Sequence, residues 1–177
     1  CLSPYAATKK TNELFAQVFA DVYGLKLLGF RYFNIFGPRQ DPDGPYAAVI
    51  PLFVKGILKR SPVYINGDGE QTRDFTFVEN AVQINIKGML TSNEQALNKV
   101  YNVAVGDRFS VNYLYETCKS QLNSDWEATY REPRSGDIRH SQADISLATK
   151  LLGYQPTKNF EAGLIETINY FKSIYSK

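Results

Sequence analysis

The sequence predicts an α/β domain, and three observations carry that prediction. Apolar residues recur now at helical spacing and now at strand spacing, and the two periods alternate from the third residue to the end. Gly24, the stretch from Asn34 to Gly44 and the run Asn66-Gly67-Asp68-Gly69 punctuate those segments with turn residues. The composition is that of a folded globule, with 177 residues of which 44% are hydrophobic, 14% aromatic and 21% charged. That composition excludes a disordered chain, and the length suits one domain around one core.

The elements follow in order. Ser3-Pro4 opens a helix, because a serine side chain can satisfy a free amide of the first turn and proline has no N–H to leave unpaired there. The helix runs from Pro4 to about Tyr23, with Leu14, Phe15, Val18, Phe19, Val22 and Tyr23 on one apolar face, and Gly24 as its left-handed stop. Leu25 to Phe33 reads as a buried strand and Asn34 to Gly44 as a long loop. Pro51 is expected to open a helix to about Lys59. Val63 to Ile65 and Arg73 to Phe77 read as short strands, and Gly67-Asp68-Gly69 between them is a turn. Val78 to Leu90 is a helix, Val100 to Ala104 a strand, Val111 to Leu122 a helix and Trp126 to Arg131 a strand. A helical segment from Ser141 to Leu151 stops at Gly153, and Phe160 to Ile174 closes as an amphipathic helix.

Charge and cysteine usage narrow the function classes. Twenty Lys and Arg against eighteen Asp and Glu leave +2, too little to make nucleic acid or an anionic membrane the main partner. Apolar stretches such as Ala47 to Val54 fall short of the roughly 20 residues that cross a bilayer. Cys1 and Cys118 form no C-x-x-C pair and no disulfide framework, so a soluble chain in a reducing cytoplasm is expected. The chain begins with Cys1, its one methionine is Met89, and a helix signal starts at the third residue. We expect the C-terminal portion of something longer.

Tyr5 and Lys9 stand one turn apart on the first helix and project from one face. A cation beside a phenol favours the phenolate, and such a pair can serve as a base near neutral pH. Taken alone, the spacing is weak evidence, because Tyr and Lys four apart is commonplace and reads as a solvated helix face. Its setting adds more. Ser3-Pro4-Tyr5-Ala6-Ala7-Thr8-Lys9 is followed by Arg31-Tyr32-Phe33-Asn34-Ile35-Phe36-Gly37-Pro38-Arg39-Gln40, Ala47-Ala48-Val49-Ile50-Pro51 and Tyr64-Ile65-Asn66-Gly67-Asp68-Gly69. Then come Thr72-Arg73-Asp74-Phe75, Val100-Tyr101-Asn102-Val103 and Arg134-Ser135-Gly136-Asp137-Ile138-Arg139-His140-Ser141. In that order these segments resemble the extended short-chain dehydrogenase/reductase family that acts on nucleotide sugars, over nearly the whole chain. Within it the likeness is to bacterial UDP-N-acetylglucosamine 4-epimerases.

The resemblance implies the C-terminal part of a Rossmann-type fold with a small α/β substrate-binding domain. Residues 1–45 would end the NAD-binding domain. Residues 46–177 would be mostly substrate-binding, with some segments returning to the Rossmann sheet. The sequence has no G-x-x-G-x-x-G run of the kind that binds a dinucleotide pyrophosphate, so that half is expected elsewhere. The implied chemistry is NAD-dependent 4-epimerisation of a UDP-sugar through a 4-keto sugar, supplying surface polysaccharide. Tyr5 would take the proton from the sugar 4-hydroxyl, and Lys9 would hold the nicotinamide ribose and favour the phenolate. Tyr32 and Phe33 would follow the strand into the nicotinamide pocket.

Arg73 and Arg134 match two arginines that clamp the UDP pyrophosphate, a task suited to the forked guanidinium. Each also reads as an ordinary surface cation, Arg73 paired with Asp74. Asp137 matches an acid that contacts the uridine ribose and Asn34 a residue on the phosphate region, though asparagine after a strand is also a common turn former. Tyr64, Asn66, Ala48 and Val49 match the uridine pocket, or serve as core and turn residues. His140 is read as a loop residue near substrate, and no metal site is expected. Ser141 matches a position where bulk obstructs a 2-acetamido group, and Gln40 one whose amide faces that group. The first helix would form part of a homodimer's four-helix interface. Two rivals stay open: a sugar-nucleotide dehydratase or decarboxylase of the same family, and a non-catalytic UDP-sugar binder.

Overall fold

The structure is a computed structural model that describes residues 3–44, 47–134 and 136–175. Cys1 and Ser135 lie outside the described residues. The first helix, α1 (Pro4–Tyr23), has the expected ends. The Ser3 hydroxyl accepts from the Ala6 N–H at 3.1 Å, and Gly24 leaves the helix at φ 65°, where a side chain would be strained. After it, β1 (Leu28–Tyr32) lies parallel to β6 (Lys99–Val103), with Leu28 opposite Lys99 and Tyr32 opposite Val103.

Between those partners the chain leaves the pair and returns. β2 (Ile35–Phe36) lies parallel to β5 (Thr76–Phe77), β3 (Tyr64–Asn66) parallel to β8 (Thr129–Arg131), and β4 (Thr72–Arg73) antiparallel to β7 (Phe109–Ser110). The other helices are α2 (Val49–Lys59), α3 (Val78–Leu90), α4 (Val111–Gln121), α5 (Ser146–Leu152) and α6 (Phe160–Tyr175). A single turn of 3-10 helix spans Glu94–Ala96.

Two buried clusters replace the one expected core. The larger joins α2, α4 and α6 to β2, β3 and β5 through residues such as Phe36, Phe53, Phe77, Leu114 and Ile168. Its aromatic rings pack edge-on and stacked, with Phe109 and Phe160 at 4.4 Å between centroids and Phe36 and Phe77 at 5.6 Å, separations at which ring quadrupoles attract. The smaller cluster gathers Ile84, Tyr101, Val103, Ala148, Leu152 and Tyr154 around β6. There α3 reaches β1 closely at Gly88, where a Cβ would come within 2.9 Å of the Phe30 ring.

Several expected boundaries are corrected. The strand expected from Leu25 starts at Leu28 and is half-buried to exposed, not buried. The Asn34 to Gly44 loop contains β2. Helix α2 starts at Val49, with Pro51 still inside the first turn where its missing N–H has no helical role. The Arg73 to Phe77 strand breaks at Asp74 and Phe75, because the Asp74 carbonyl accepts from the Asn34 side chain at 2.9 Å. The strand expected from Trp126 begins at Thr129, since the Trp126 N–H groups bond Ser124 and Ser61. The helix expected from Ser141 begins at Ser146. Its expected first residues run extended beside β4, with the Ser141 N–H on the Thr72 carbonyl at 3.1 Å.

The largest correction concerns α1. Its apolar stripe, Leu14, Phe15, Val18, Phe19, Val22 and Tyr23, is 43% to 67% exposed, and Ala20 is the helix's one buried residue. The opposite stripe, Glu13, Ala16, Gln17 and Ala20, faces β1 across a cleft. The helix therefore turns its small and polar side to this chain and its greasy side outward.

Candidate active site

Helical spacing places Tyr5 and Lys9 on the stripe of α1 that faces β1, and the Lys9 Nζ stands 5.2 Å from the centre of the Tyr5 ring. Both line a cleft of about 530 Å³ between α1 and the β1–β6 pair, together with Asn12, Glu13, Arg31 and Tyr32. Tyr5 is 71% exposed, so its hydroxyl is open to a ligand. At the far end of β1, the Tyr32 hydroxyl accepts from the Asn85 Nδ2 at 2.8 Å, which fixes that side chain beside the cleft.

One turn beyond Lys9, Glu13 accepts from the Arg31 Nε and Nη2, at 2.5 and 2.7 Å, and from Lys10 at 3.0 Å. The Arg31 fork, with help from Lys10 and against the opposing effect of burial, brings the Glu13 carboxyl down to about 2. This ion pair ties the helix that carries Tyr5 and Lys9 to the strand that carries Tyr32.

A second group sits where β4 meets the 137–143 segment. Arg73 donates to Asp137 and to the Thr72 carbonyl, so its partner is Asp137 and not the neighbouring Asp74. The Thr72 Oγ1 and the His140 Nδ1 lie 3.0 Å apart, and by strand alternation Arg73 and Ser141 share the opposite face of that pairing. Arg134 is exposed, and its carbonyl accepts from the Asp137 N–H at 3.3 Å. Asp74 is fully buried. Its carboxylate accepts from the N–H groups of Val105 at 3.0 Å, Gly106 at 3.0 Å and Ala143 at 3.3 Å. Burial pushes that carboxyl up, and the three amides pull it the other way.

The remaining expected residues fall into place around these two groups. Asn34 adopts a left-handed φ of 39°, as a turn-forming asparagine does, and also donates to Asp74, linking the end of β1 to Arg73's neighbour. Phe33 is half-buried, its N–H on the Val103 carbonyl. Tyr64 and Asn66 share one face of β3, where Arg131 stacks its guanidinium 4.5 Å over the Tyr64 ring and donates to the Asn66 Oδ1 at 2.8 Å. Ala48 caps α2 with its backbone and Val49 is the first helical residue. The Gln40 amide donates to the Ile35 carbonyl at 3.0 Å, while its Oε1 is buried without a partner among the described residues. Among the described residues, no group of three or more His, Cys, Asp or Glu side chains is placed to hold a metal ion. None of their helices is long and apolar enough to cross a membrane.

The profile of the NAD dependent epimerase/dehydratase family matches residues 1–104, the span that contains the Tyr5 and Lys9 helix, β1 and the Arg73 segment. The chain belongs to that family. Among solved structures, this epimerase/dehydratase chain is similar to a UDP-glucose 4-epimerase from Thermotoga maritima with UDP-glucose. The identity is 38% and the TM-score 0.91, over 97% of this chain and 54% of that one. It is also similar to a UDP-N-acetylglucosamine 4-epimerase from Methanobrevibacter ruminantium in complex with UDP-N-acetylmuramic acid. There the identity is 43% and the TM-score 0.89, over 97% and 54%. A UDP-glucuronate 4-epimerase from Thermodesulfobacterium geofontis is 34% identical, over 97% of this chain and 51% of its own. The chain spans about half the length of the curated relatives it matches. The likeness bears out the α/β, Rossmann-type reading of the fold.

Three features of this family member escaped sequence reasoning. Arg131 was read only as the end of a strand, and its place over Tyr64 depends on the register of β3 with β8. The Glu13 and Arg31 pair had a local signal, since Glu13 continues the Tyr5 and Lys9 spacing by one more turn. Asp74 follows Arg73 in the sequence, but nothing local marks its distant amide partners.

Proposed function

We propose that the polypeptide carrying this chain interconverts a UDP-sugar and its C4 epimer with NAD, and that UDP-N-acetylglucosamine and UDP-N-acetylgalactosamine are its substrates. The observation that supports this reading is the cleft shared by Tyr5, Lys9 and Tyr32. From it β1 leads through Asn34 and Asp74 to Arg73. A phenol, an ammonium and a second tyrosine on one cleft fit the ribose and nicotinamide end of NAD, with Tyr5, Lys9, Tyr32 and Phe33 holding it. Bound NAD would supply the acceptor and donor of the C4 hydride.

In this reading Tyr5 takes the 4-hydroxyl proton and returns it to the 4-keto sugar after that sugar presents its other face. Lys9 orients the ribose and balances charge beside Tyr5. Arg73 and Arg134 hold the pyrophosphate, Asp137 and Asn34 the adjoining ribose and phosphate, and Tyr64, Asn66, Ala48 and Val49 the uridine. A fixed nucleotide lets the sugar turn without leaving. Ser141 and Gln40 border the 2-acetamido group.

The division into an NAD-binding part, residues 1–45, and a substrate-binding part, residues 46–177 with returning segments, has the smaller buried cluster around β6 in its favour. The unpaired, buried Cys118 thiol, which burial pushes up to about 12, fits a cytoplasmic setting.

The test is product analysis with UDP-N-acetylglucosamine on the complete polypeptide and on its Tyr5→Phe variant. Wild type should give the C4 epimer. Tyr5→Phe should lose turnover by about 100-fold or more while retaining UDP binding, since general acid–base catalysis contributes that much. Wild-type turnover in the variant excludes the base assignment. A dehydrated or decarboxylated product assigns the rival chemistry, and UDP binding without any product assigns a binding role.

A further inference from the structure

The buried carboxylate of Asp74 has no place in the chemistry above, and its surroundings show what it does. Beside β4 the segment 139–143 begins as a regular parallel ladder, with the Thr72 N–H on the Arg139 carbonyl at 2.9 Å and the Ser141 N–H on the Thr72 carbonyl at 3.1 Å. In such a ladder the residue 74 N–H then goes to the residue 141 carbonyl, and the residue 143 N–H to the main-chain carbonyl of residue 74. Here that rung is moved to a side chain. The Ala143 N–H donates to the Asp74 Oδ2 at 3.3 Å, and the Asp74 carbonyl takes the Asn34 Nδ2 instead.

The same carboxylate fills a concavity made by two successive amides, Val105 and Gly106, the second at φ 85°. Such a pair of N–H groups is a ready anion site, and here its anion belongs to the protein. Among the described residues no Lys or Arg forms an ion pair with Asp74, so main-chain dipoles carry its charge. One side chain thus joins three stretches distant in sequence: β4 with Arg73, the turn after β6, and the segment that carries Ser141. Its main-chain carbonyl adds a fourth, the Asn34 end of β1.

We propose that Asp74 is a positioning residue that sets Arg73, Asn34 and Ser141 in register as one nucleotide-sugar site. The proposal rests on the reading of Arg73 and Asn34 as UDP contacts and of Ser141 as a sugar contact. Asn at this position keeps the shape but puts an NH₂ donor against N–H groups that need an acceptor.

The experiment uses Asp74→Asn in the complete polypeptide that carries this chain, with amide hydrogen exchange and UDP calorimetry as readouts. Exchange at Val105, Gly106 and Ala143 should speed up by about tenfold, and the UDP dissociation constant should rise by about tenfold, as loss of charged hydrogen bonds implies. Ile168→Val, in the α6 core, is the control: it lowers the melting temperature but should leave UDP affinity unchanged. Should Asp74→Asn fail to fold, replacing the Ala143 amide by an ester removes one donor and should weaken UDP binding in the same direction. If wild type binds UDP and the folded Asp74→Asn or the ester binds it equally well, the proposal is overturned and the site reading stands. If wild type takes up no UDP, the site reading fails and the proposal with it.

Discussion

At the scale of single residues, the ion pair of Glu13 and Arg31 gives a pH signature that can be measured. The folded-state carboxyl is held at about 2 against 4.5 for the free group. Its stabilising contribution is therefore complete above about 4.5 and is lost as pH falls from there through 2. Arg31 is half exposed, so solvent screening trims the contribution to about 1 kcal/mol. The difference in melting temperature between wild type and Glu13→Gln should shrink across that window and also shrink in high salt. A difference constant from pH 7 to pH 2 would show that the pair contributes nothing. What was legible at this scale is local. Tyr5 and Lys9 share a face because helical spacing puts them there, and Ser3 and Gly24 cap α1 because their own chemistry suits those ends. Asp74 and Arg131 were illegible, since each takes its role from residues more than thirty or sixty positions away, and no spacing rule reaches that far.

Helices were read well and strands less well, for a physical reason. A helix satisfies its own amides, so its length and ends follow from nearby residues, as α1 and α3 illustrate. Strands of two residues, such as β2 and β5, exist only through their partners, and residues 139–141 run beside β4 because their main chain bonds Thr72. Amphipathicity misled in one case. The stripe of α1 marks a face that must be covered, but not by what, and it points away from the rest of this chain. A homodimer through this face, as the family likeness implies, makes a direct prediction. Phe15→Glu with Val22→Glu should convert a sedimenting dimer of the complete polypeptide to monomer. Because both side chains are exposed, the monomer's melting temperature should change little. A wild-type polypeptide that already sediments as a monomer at micromolar concentration would rule the interface out.

For the molecule as a whole, the two clusters divide labour: one stabilises the region around α2, α4 and α6, the other the β1–β6 pair beside the Tyr5 cleft. Composition could not reveal that division, because both clusters draw on the same residue types. The proposed substrate preference belongs to this scale, since Ser141 reaches the Arg73 face through the pairing of residues 139–141 with Thr72. Ser141→Tyr in the complete polypeptide should fill the room an acetyl group needs. The ratio of kcat/KM for UDP-N-acetylglucosamine over UDP-glucose should drop by about tenfold, equivalent to about 1.4 kcal/mol. Ser141→Ala should leave the ratio unchanged, and equal losses on both sugars in Ser141→Tyr would remove the steric argument. The parallel pairings also bear on how the chain acquires its shape. β1 waits for β6, whose first residue follows some seventy positions later, and β3 waits comparably long for β8. A topology of such high contact order folds slowly. On the ribosome β1 waits for its β6 partner until residue 103 has emerged, while the oily back of α1 is already out. In that interval the exposed apolar face of α1 invites aggregation and chaperone capture.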